Sequence, residues 1–197
     1  MFVKVCGIRT RGQIDWAVEL GYHAVGFVLH PGSPRCCDAA RARRLARYAR
    51  GRIATVAVGI AYEEVAPLED ACDFIQIYEF RADTRLILAG AEPPPEGCSL
   101  FLYDAGRGDG LCRPFPDWLR GMEIPTILSG GLTDGNVADV IRRFRPFGVD
   151  VSSGVERMHP FNAARDVNPE GPESPDDIRH IPIRETSGKD SRDFHAS

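Results

Sequence analysis

The sequence predicts an α/β protein with parallel strands, and three observations carry that expectation. From Phe2 to Tyr78, short strand-like runs alternate with helix-like segments at the spacing of βα units. One run, Ala24-Val25-Gly26-Phe27-Val28-Leu29, is almost continuously apolar, as a strand covered on both faces requires. Several runs also end in glycine or small polar residues, at the carboxyl end where parallel barrels and open sheets place their chemistry. These patterns leave barrel and open sheet both possible.

The first run, Phe2-Val3-Lys4-Val5-Cys6, is β-branched at Val3 and Val5 and is broken by Gly7, so Cys6 is presented at a strand end. Thr10 and Gln13 then form a capping-box spacing ahead of an apolar stripe of Ile14, Ala17 and Val18, and Gly21 stops that helix. After the second strand comes a Pro/Gly/Ser loop, His30 to Arg35, with Asp38 placed to cap a helix carrying Leu45, Ala46 and Ala49. Ile53 to Ile60 reads as a third strand, Glu63 to Ala71 as a short helix and Phe74 to Tyr78 as a fourth strand. Arg85 to Ala89 and Ser99 to Tyr103 read as strands too, but only Glu79 to Thr84 and a Pro93-Pro94-Pro95 stretch connect them. A parallel crossover normally takes about a dozen residues or more. Either the helices after strands four and five are shortened or missing, or part of the middle pairs differently.

The pattern resumes after Asp104. A Gly-rich loop, Gly106 to Gly110, precedes a short helix at Asp117-Trp118. Pro125 to Leu128 is a strand ending in Ser129-Gly130-Gly131. Thr133 is placed to cap a helix whose Val137, Val140, Ile141 and Phe144 share one face, and Phe147 to Val151 is the last strand, ending in Ser152-Ser153-Gly154. The expected domain is 1–156. Residues 157–197, rich in proline and charge, read as a poorly ordered tail with room for a short helix near 174–181.

Composition narrows the function classes. A 197-residue chain with 43% hydrophobic residues and net charge −4 is ordinary for one soluble domain and does not favour nucleic acid or an anionic membrane as partner. The basic run Arg35, Arg41, Arg43, Arg44, Arg47, Arg50 and Arg52 is expected on a solvated helix face. No signal peptide or membrane span is expected. The six cysteines include adjacent Cys36 and Cys37 and form no CxxC pair, which argues against a structural zinc site and for reduced thiols in a cytoplasmic protein.

Two strand ends suggest a phosphate site. Gly130-Gly131 before a helix and Ser153-Gly154 after the next strand match the loops that hold phosphate in many α/β barrels, although each could be a tight corner and nothing more. Gly106-Arg107-Gly108-Asp109-Gly110 lacks the GxGxxG spacing and reads as an active-site or surface loop. Cys6 alone could be a core filler and Asp104 alone a cap. At one mouth beside a phosphate they suit proton transfer on a sugar phosphate, provided that a helix dipole or a cation such as Arg35 favours the thiolate.

In order along the chain, Lys4-Val5-Cys6-Gly7-Ile8, Ala24-Val25-Gly26-Phe27-Val28, Ser33-Pro34-Arg35, Leu128-Ser129-Gly130-Gly131-Leu132 with Asn136-Val137, and Val149-Asp150-Val151-Ser152-Ser153-Gly154-Val155-Glu156 resemble phosphoribosylanthranilate isomerase. The likeness covers residues 2–156, strongly at both ends and weakly from about 61 to 118. It implies a (β/α)8 TIM barrel and an Amadori rearrangement in tryptophan biosynthesis, with no cofactor or metal. By resemblance, Asp104 is the general acid and Cys6 the general base. Arg35 would hold the anthranilate carboxylate, Asp150 would lie near the substrate, and Gly130, Gly131, Ser153 and Gly154 would bind the phosphate. The protein would act on a small phosphosugar as a monomer or homodimer. One departure stands out: where the family commonly has Gln-Leu-His-Gly, this chain has Gln76-Ile77-Tyr78-Glu79, and the imidazole is lost. The lost histidine and pared-down middle motivate a second expectation, a non-catalytic phosphosugar-binding protein on a decayed barrel. A third is an isomerase for another phosphosugar, against which Arg35 speaks.

Overall fold

Eight parallel strands pair in sequence order and the last pairs back with the first, closing a barrel: β1 (Phe2–Cys6), β2 (Ala24–Val28), β3 (Ala54–Val58), β4 (Phe74–Ile77), β5 (Leu86–Gly90), β6 (Phe101–Tyr103), β7 (Thr126–Leu128) and β8 (Gly148–Val151). The structure, a computed structural model, describes residues 1–107 and 113–156. The tail at 157–197, with the helix expected near 174–181, lies outside the described residues, as does most of the Gly-rich loop.

The alternation of side chains along each strand divides the apolar residues into two sets. Ala24, Val28, Val56, Val58, Ile87, Ala89, Leu102 and Ile127 fill the lumen, joined by Cys6 and Tyr78 near its mouth. Val25, Phe27, Ala57, Ile75, Ile77, Leu88 and Phe101 face outward and are covered. Helices α1 (Arg11–Glu19) and α2 (Ala39–Ala49) pack Ile14, Ala17, Leu45 and Ala46 against that outer face.

Local chemistry sets the helix starts. The capping box forms as expected: Gln13 N–H donates to Thr10 Oγ1 at 3.2 Å, and Thr10 N–H donates back to Gln13 Oε1 at 3.1 Å. Asp38 caps α2 by accepting from Arg41 N–H at 2.8 Å. The helix expected over Glu63 to Ala71 is instead one turn, α3 (Tyr62–Val65), followed by a 3-10 turn at Ala66–Leu68, because Pro67 cannot donate the next helical hydrogen bond. The helix after β7, α4 (Val137–Phe144), starts later than expected. Thr133 is not its cap. The Thr133 carbonyl accepts from Asn136 and Val137, and the Asn136 side chain turns back to Thr133 N–H and the Gly131 carbonyl. A last single turn, α5 (Ser153–Glu156), follows β8 directly.

The trimmed middle is parallel throughout. β4 and β5 are in register as Ile75 with Leu86 and Ile77 with Leu88, although residues 78–85 are their only link and contain no helix. Residues 91–100 likewise join β5 to β6 without a helix. Alternative pairing is excluded here. The strands are short, roughly 10–17 Å at about 3.3 Å per residue, and an eight-residue extended link reaches about 26 Å or more, enough to return.

The basic run lies on a solvated face except for Arg35, which is half-buried ahead of α2: Arg41, Arg44, Arg47 and Arg50 are exposed, Arg43 pairs with Asp70 at 2.7 Å and Arg52 with Asp15 at 2.6 Å. Cys6, Cys36, Cys37, Cys72 and Cys98 are free thiols, and Cys112 lies outside the described residues. Among the described residues no helix is long and apolar enough to cross a membrane.

The closing seam carries a buried charge pair. Lys4 on β1 and Asp150 on β8 are register partners, and Lys4 Nζ lies 2.9 Å from Asp150 Oδ1. It is an ion pair by distance, with angles outside those of a hydrogen bond. The Lys4 side chain is fully buried. Beside it Gly148 lets β8 approach β1, since a Cβ there would stand 2.6 Å from the Phe2 carbonyl oxygen.

Two stability outcomes follow from this seam. Lys4→Met leaves Asp150 charged and unpaired, and denaturant titration should show a loss of about 3–5 kcal/mol, largely recovered in Lys4→Met/Asp150→Leu. Gly148→Ala crowds the Phe2 backbone and should cost about 1–3 kcal/mol in the same assay.

Candidate active site

The carboxyl ends of β1, β4, β6, β7 and β8 bring the chemistry-bearing residues to one mouth of the barrel. Cys6 is the last inward side chain of β1. Gly7 takes φ +91°, and the N–H groups of Gly7 and Ile8 both donate to the Gly26 carbonyl, at 2.9 and 3.0 Å, turning the chain away directly after the thiol. Gly26 on β2 makes room for the Cys6 and Lys4 side chains together: a Cβ there would lie 2.9 Å from Cys6 Sγ and 3.3 Å from Lys4 Cε. Ser152 Oγ donates to the Cys6 carbonyl at 3.2 Å, tying the ends of β8 and β1.

Arg35 reaches the same place from the loop after β2. Its stem crosses Gly7 so closely that a Cβ on that glycine would be 2.6 Å from Arg35 Cδ. Its charge acts on the Cys6 thiol.

Asp104 follows β6, whose end is tied by Asp104 N–H to the Gly90 carbonyl at 2.9 Å. Its carboxylate is buried and holds two donors: Gly106 N–H at 2.9 Å on Oδ1, in an Asx-turn, and Tyr78 O–H at 2.9 Å on Oδ2. Gly130, at φ +96°, sits directly beside it, a Cβ there being 3.5 Å from Asp104 Oδ1. Ser129 Oγ donates to Asp150 Oδ2 at 3.4 Å. The two glycine turns touch: a Cβ on Gly154 would overlap the Leu132 carbonyl oxygen at 2.0 Å. All the residues expected at the site except Gly131 and Ser153 are thus linked to this mouth by a contact or charge interaction. Those two are the chain neighbours of Gly130 and Gly154 in the touching turns. The α4 N-terminus is separated from Gly131 by Leu132 to Asn136, so these glycines do not open onto a helix directly, contrary to expectation.

The electrostatics centre on Lys4. Burial works against its charge, but Asp150 and the Cys6 thiol outweigh that and raise its pKa, so it remains an ammonium. Burial pushes the Cys6 thiol up, Lys4 pulls it down and Asp150 pushes it up again; the net direction is upward. Burial likewise raises Asp150 against the pull of Lys4. Burial, then the charge of Asp104, pushes the Tyr78 phenol far up.

Two members of the site were not recognised from sequence. Lys4 was passed over as a strand residue, although a lysine between Val3 and Val5, in phase with Cys6 on a period of two, is the signal of a charge pointing into the barrel. Tyr78 was seen only as a missing imidazole, because a phenol reveals its partner only once β4 and β6 are placed.

A model of the family "N-(5'phosphoribosyl)anthranilate (PRA) isomerase" matches residues 100–159. The chain is 37% identical to N-(5'-phosphoribosyl)anthranilate isomerase of Chromohalobacter salexigens, over 78% of this chain and 84% of that protein. The crystal structure of phosphoribosyl anthranilate isomerase from Thermus thermophilus superposes with TM-score 0.68 at 28% identity, covering 81% of this chain and 91% of that one. A phosphoribosyl anthranilate isomerase solved with reduced 1-(o-carboxyphenylamino)-1-deoxyribulose 5-phosphate gives TM-score 0.63 at 27% identity, covering 82% and 91%. Motifs at both ends of the chain, a closed eight-stranded parallel barrel and this identity over most of both sequences agree, and the chain belongs to the N-(5'-phosphoribosyl)anthranilate isomerase family.

Proposed function

We propose the chemistry by which this chain, an aldose–ketose isomerase of tryptophan biosynthesis, converts N-(5'-phosphoribosyl)anthranilate to 1-(2-carboxyphenylamino)-1-deoxyribulose 5-phosphate: Asp104 is the general acid and Cys6 the general base. The observation that carries the reading is a buried carboxylate and a strand-end thiol at one mouth, where Tyr78, hydrogen-bonded to Asp104, lines the same lumen as Cys6.

Asp104 delivers its proton to the ribose ring oxygen. The C1'–O bond breaks, its electron pair stays on oxygen, and the amine lone pair forms the C1'=N bond of a Schiff base. The Cys6 thiolate then takes the C2' proton. The C–H electron pair becomes the C1'=C2' bond, the iminium charge is neutralised, and the enolamine tautomerises to the ketose by losing the 2'-hydroxyl proton and gaining one at C1'. The cation that favours the thiolate is Lys4 first, with Arg35 adding to it. Arg35 is assigned to the anthranilate carboxylate, which a guanidinium can grip with two hydrogen bonds. Gly130, Gly131, Ser153 and Gly154 are assigned to the phosphate, and the absence of side chains on the three glycines leaves their backbone N–H groups open to an anion. Asp150 orients Lys4 and lies near the substrate. The same proposal has the enzyme working in the cytoplasm on a free phosphosugar, as a monomer or homodimer, with neither nucleic acid nor membrane.

The family names of the relatives favour this over a non-catalytic phosphosugar binder. That alternative predicts thermal stabilisation by the sugar phosphate without turnover and failure to complement an isomerase-deficient auxotroph.

Purified protein should consume the fluorescence of the anthranilate substrate, and Cys6→Ala or Asp104→Ala should lower the rate by about 10²–10⁴-fold. Full activity in either variant would sink the assignment. Arg35→Met should raise KM about ten- to a hundredfold, the worth of a charge-assisted hydrogen bond. Because the thiol is pushed up and must be ionised to act, kcat/KM should rise with pH on the alkaline side as Cys6 deprotonates in the company of Lys4, Arg35, Asp150 and Tyr78.

A further inference from the structure

A tyrosine at the end of β4 stands against the carboxylate of Asp104. Tyr78 is the inward residue next after Gln76 on the β4 line, and its backbone N–H donates to the Ile60 carbonyl at 3.0 Å, which holds it at the end of β3. Its hydroxyl donates to Asp104 Oδ2 at 2.9 Å. Arg107, three residues beyond Asp104, stands over the ring with its guanidinium carbon 5.6 Å from the ring centroid, within cation–π range. The phenol is therefore clamped at both ends, by the carboxylate and by the loop that the carboxylate begins.

Other groups around this pair have partners of their own. Gly106 N–H takes the other oxygen of Asp104. Lys4 is engaged by Asp150 across the β1–β8 seam. Arg35 lies over Gly7 on the Cys6 side. Tyr78 O–H donates to Oδ2. Burial and the Asp104 charge keep it a neutral phenol, so its proton stays available to the carboxylate.

We infer that Tyr78 is a positioning residue for Asp104: its hydroxyl fixes the orientation of the carboxyl group and stabilises the carboxylate that remains when the proton has gone to the ring oxygen. This rests on the reading of Asp104 as general acid. The proton itself is not carried by Tyr78. The Asp104 O–H bond breaks, the O–H bond on the ribose oxygen forms, and the Tyr78 O–H bond stays intact while its hydrogen bond shortens onto the growing negative charge. A donor already aimed at charge that develops only in the transition state is worth most in a buried, water-poor site. The phenol thus supplies Asp104 with a donor from the end of β4.

The test is Tyr78→Phe, which keeps the ring and its contact with Arg107 and removes only the hydroxyl. Turnover on N-(5'-phosphoribosyl)anthranilate should fall about ten- to a hundredfold in kcat, the worth of a hydrogen bond to a charged group. KM, the affinity for reduced 1-(o-carboxyphenylamino)-1-deoxyribulose 5-phosphate measured by titration calorimetry, and the melting temperature should stay close to the parent values. An unchanged kcat overturns the inference. So does a parallel fall of kcat, analogue affinity and melting temperature, since that is the signature of a merely structural side chain. Asp104→Asn assayed alongside separates the two layers. If it is inactive while Tyr78→Phe is normal, only the role of Tyr78 fails. If Asp104→Asn is as active as the parent, the general-acid assignment fails first.

Discussion

A lysine and an aspartate sealed inside an apolar barrel, facing each other across the strands that close it, constrain more of this molecule than any other contact. Lys4 and Asp150 are register partners on β1 and β8. Slipping that seam by one residue would set Lys4 against Val149 or Val151 and carry one charge to the opposite face of the sheet, leaving the other bare in the lumen. Two buried charges gain little net stability from each other, because desolvation offsets most of the attraction. Their worth here lies in specificity: the pair has one low-energy register, and in it Lys4 stands directly beneath the thiol of Cys6.

The rest of the site hangs from that arrangement. Gly26 opens a space in the wall of β2 that the Lys4 and Cys6 side chains fill, and Ser152 holds the Cys6 carbonyl from the end of β8. On the far side of the mouth a second group of contacts holds Asp104, through Gly106 and Tyr78, with Gly130 packed against the carboxylate. The electrostatics join the two sides, since Asp150 feels both Lys4 and Asp104. The middle of the scaffold can be pared down without loosening this, because the strands and the turns at their carboxyl ends, not the crossover helices, carry Cys6, Arg35, Tyr78, Asp104 and Asp150. Residues 78–85 and 91–100 return the chain in the parallel sense without a helix, and Ile75, Ile77, Leu86 and Leu88 stay buried.

Much of the fold was legible from the residues in order. The capping box at Thr10 and Gln13, the cap at Asp38, the continuous apolar run of β2 and the glycine that ends β1 each state a local rule, and each holds in the structure. The start of α4 was misread because Thr133, placed to cap it, is drawn into the turn after β7 instead. There the Asn136 side chain accepts from Thr133 N–H and donates to the Gly131 carbonyl, a circumstance of the β7 turn that no local rule announces. The crossovers after β4 and β5 were ambiguous for a related reason: short links fit either trimming or re-pairing until the other strands fix where the chain must return.

By itself the sequence determined which residues could do chemistry: a thiol at the end of the first strand, carboxylates after the sixth and in the eighth, an arginine in the second loop and glycine turns after the last two strands. These follow from local rules, because a strand end and a tight turn are written in a few neighbouring residues. Only the tertiary structure decided what each of them faces. That the thiol sits over a buried ammonium, that the ammonium is neutralised by Asp150 146 positions away, and that the Tyr78 hydroxyl donates to Asp104 all depend on closing the barrel. Partners so distant in the chain carry no local signature, since what joins them is the register of one strand against another.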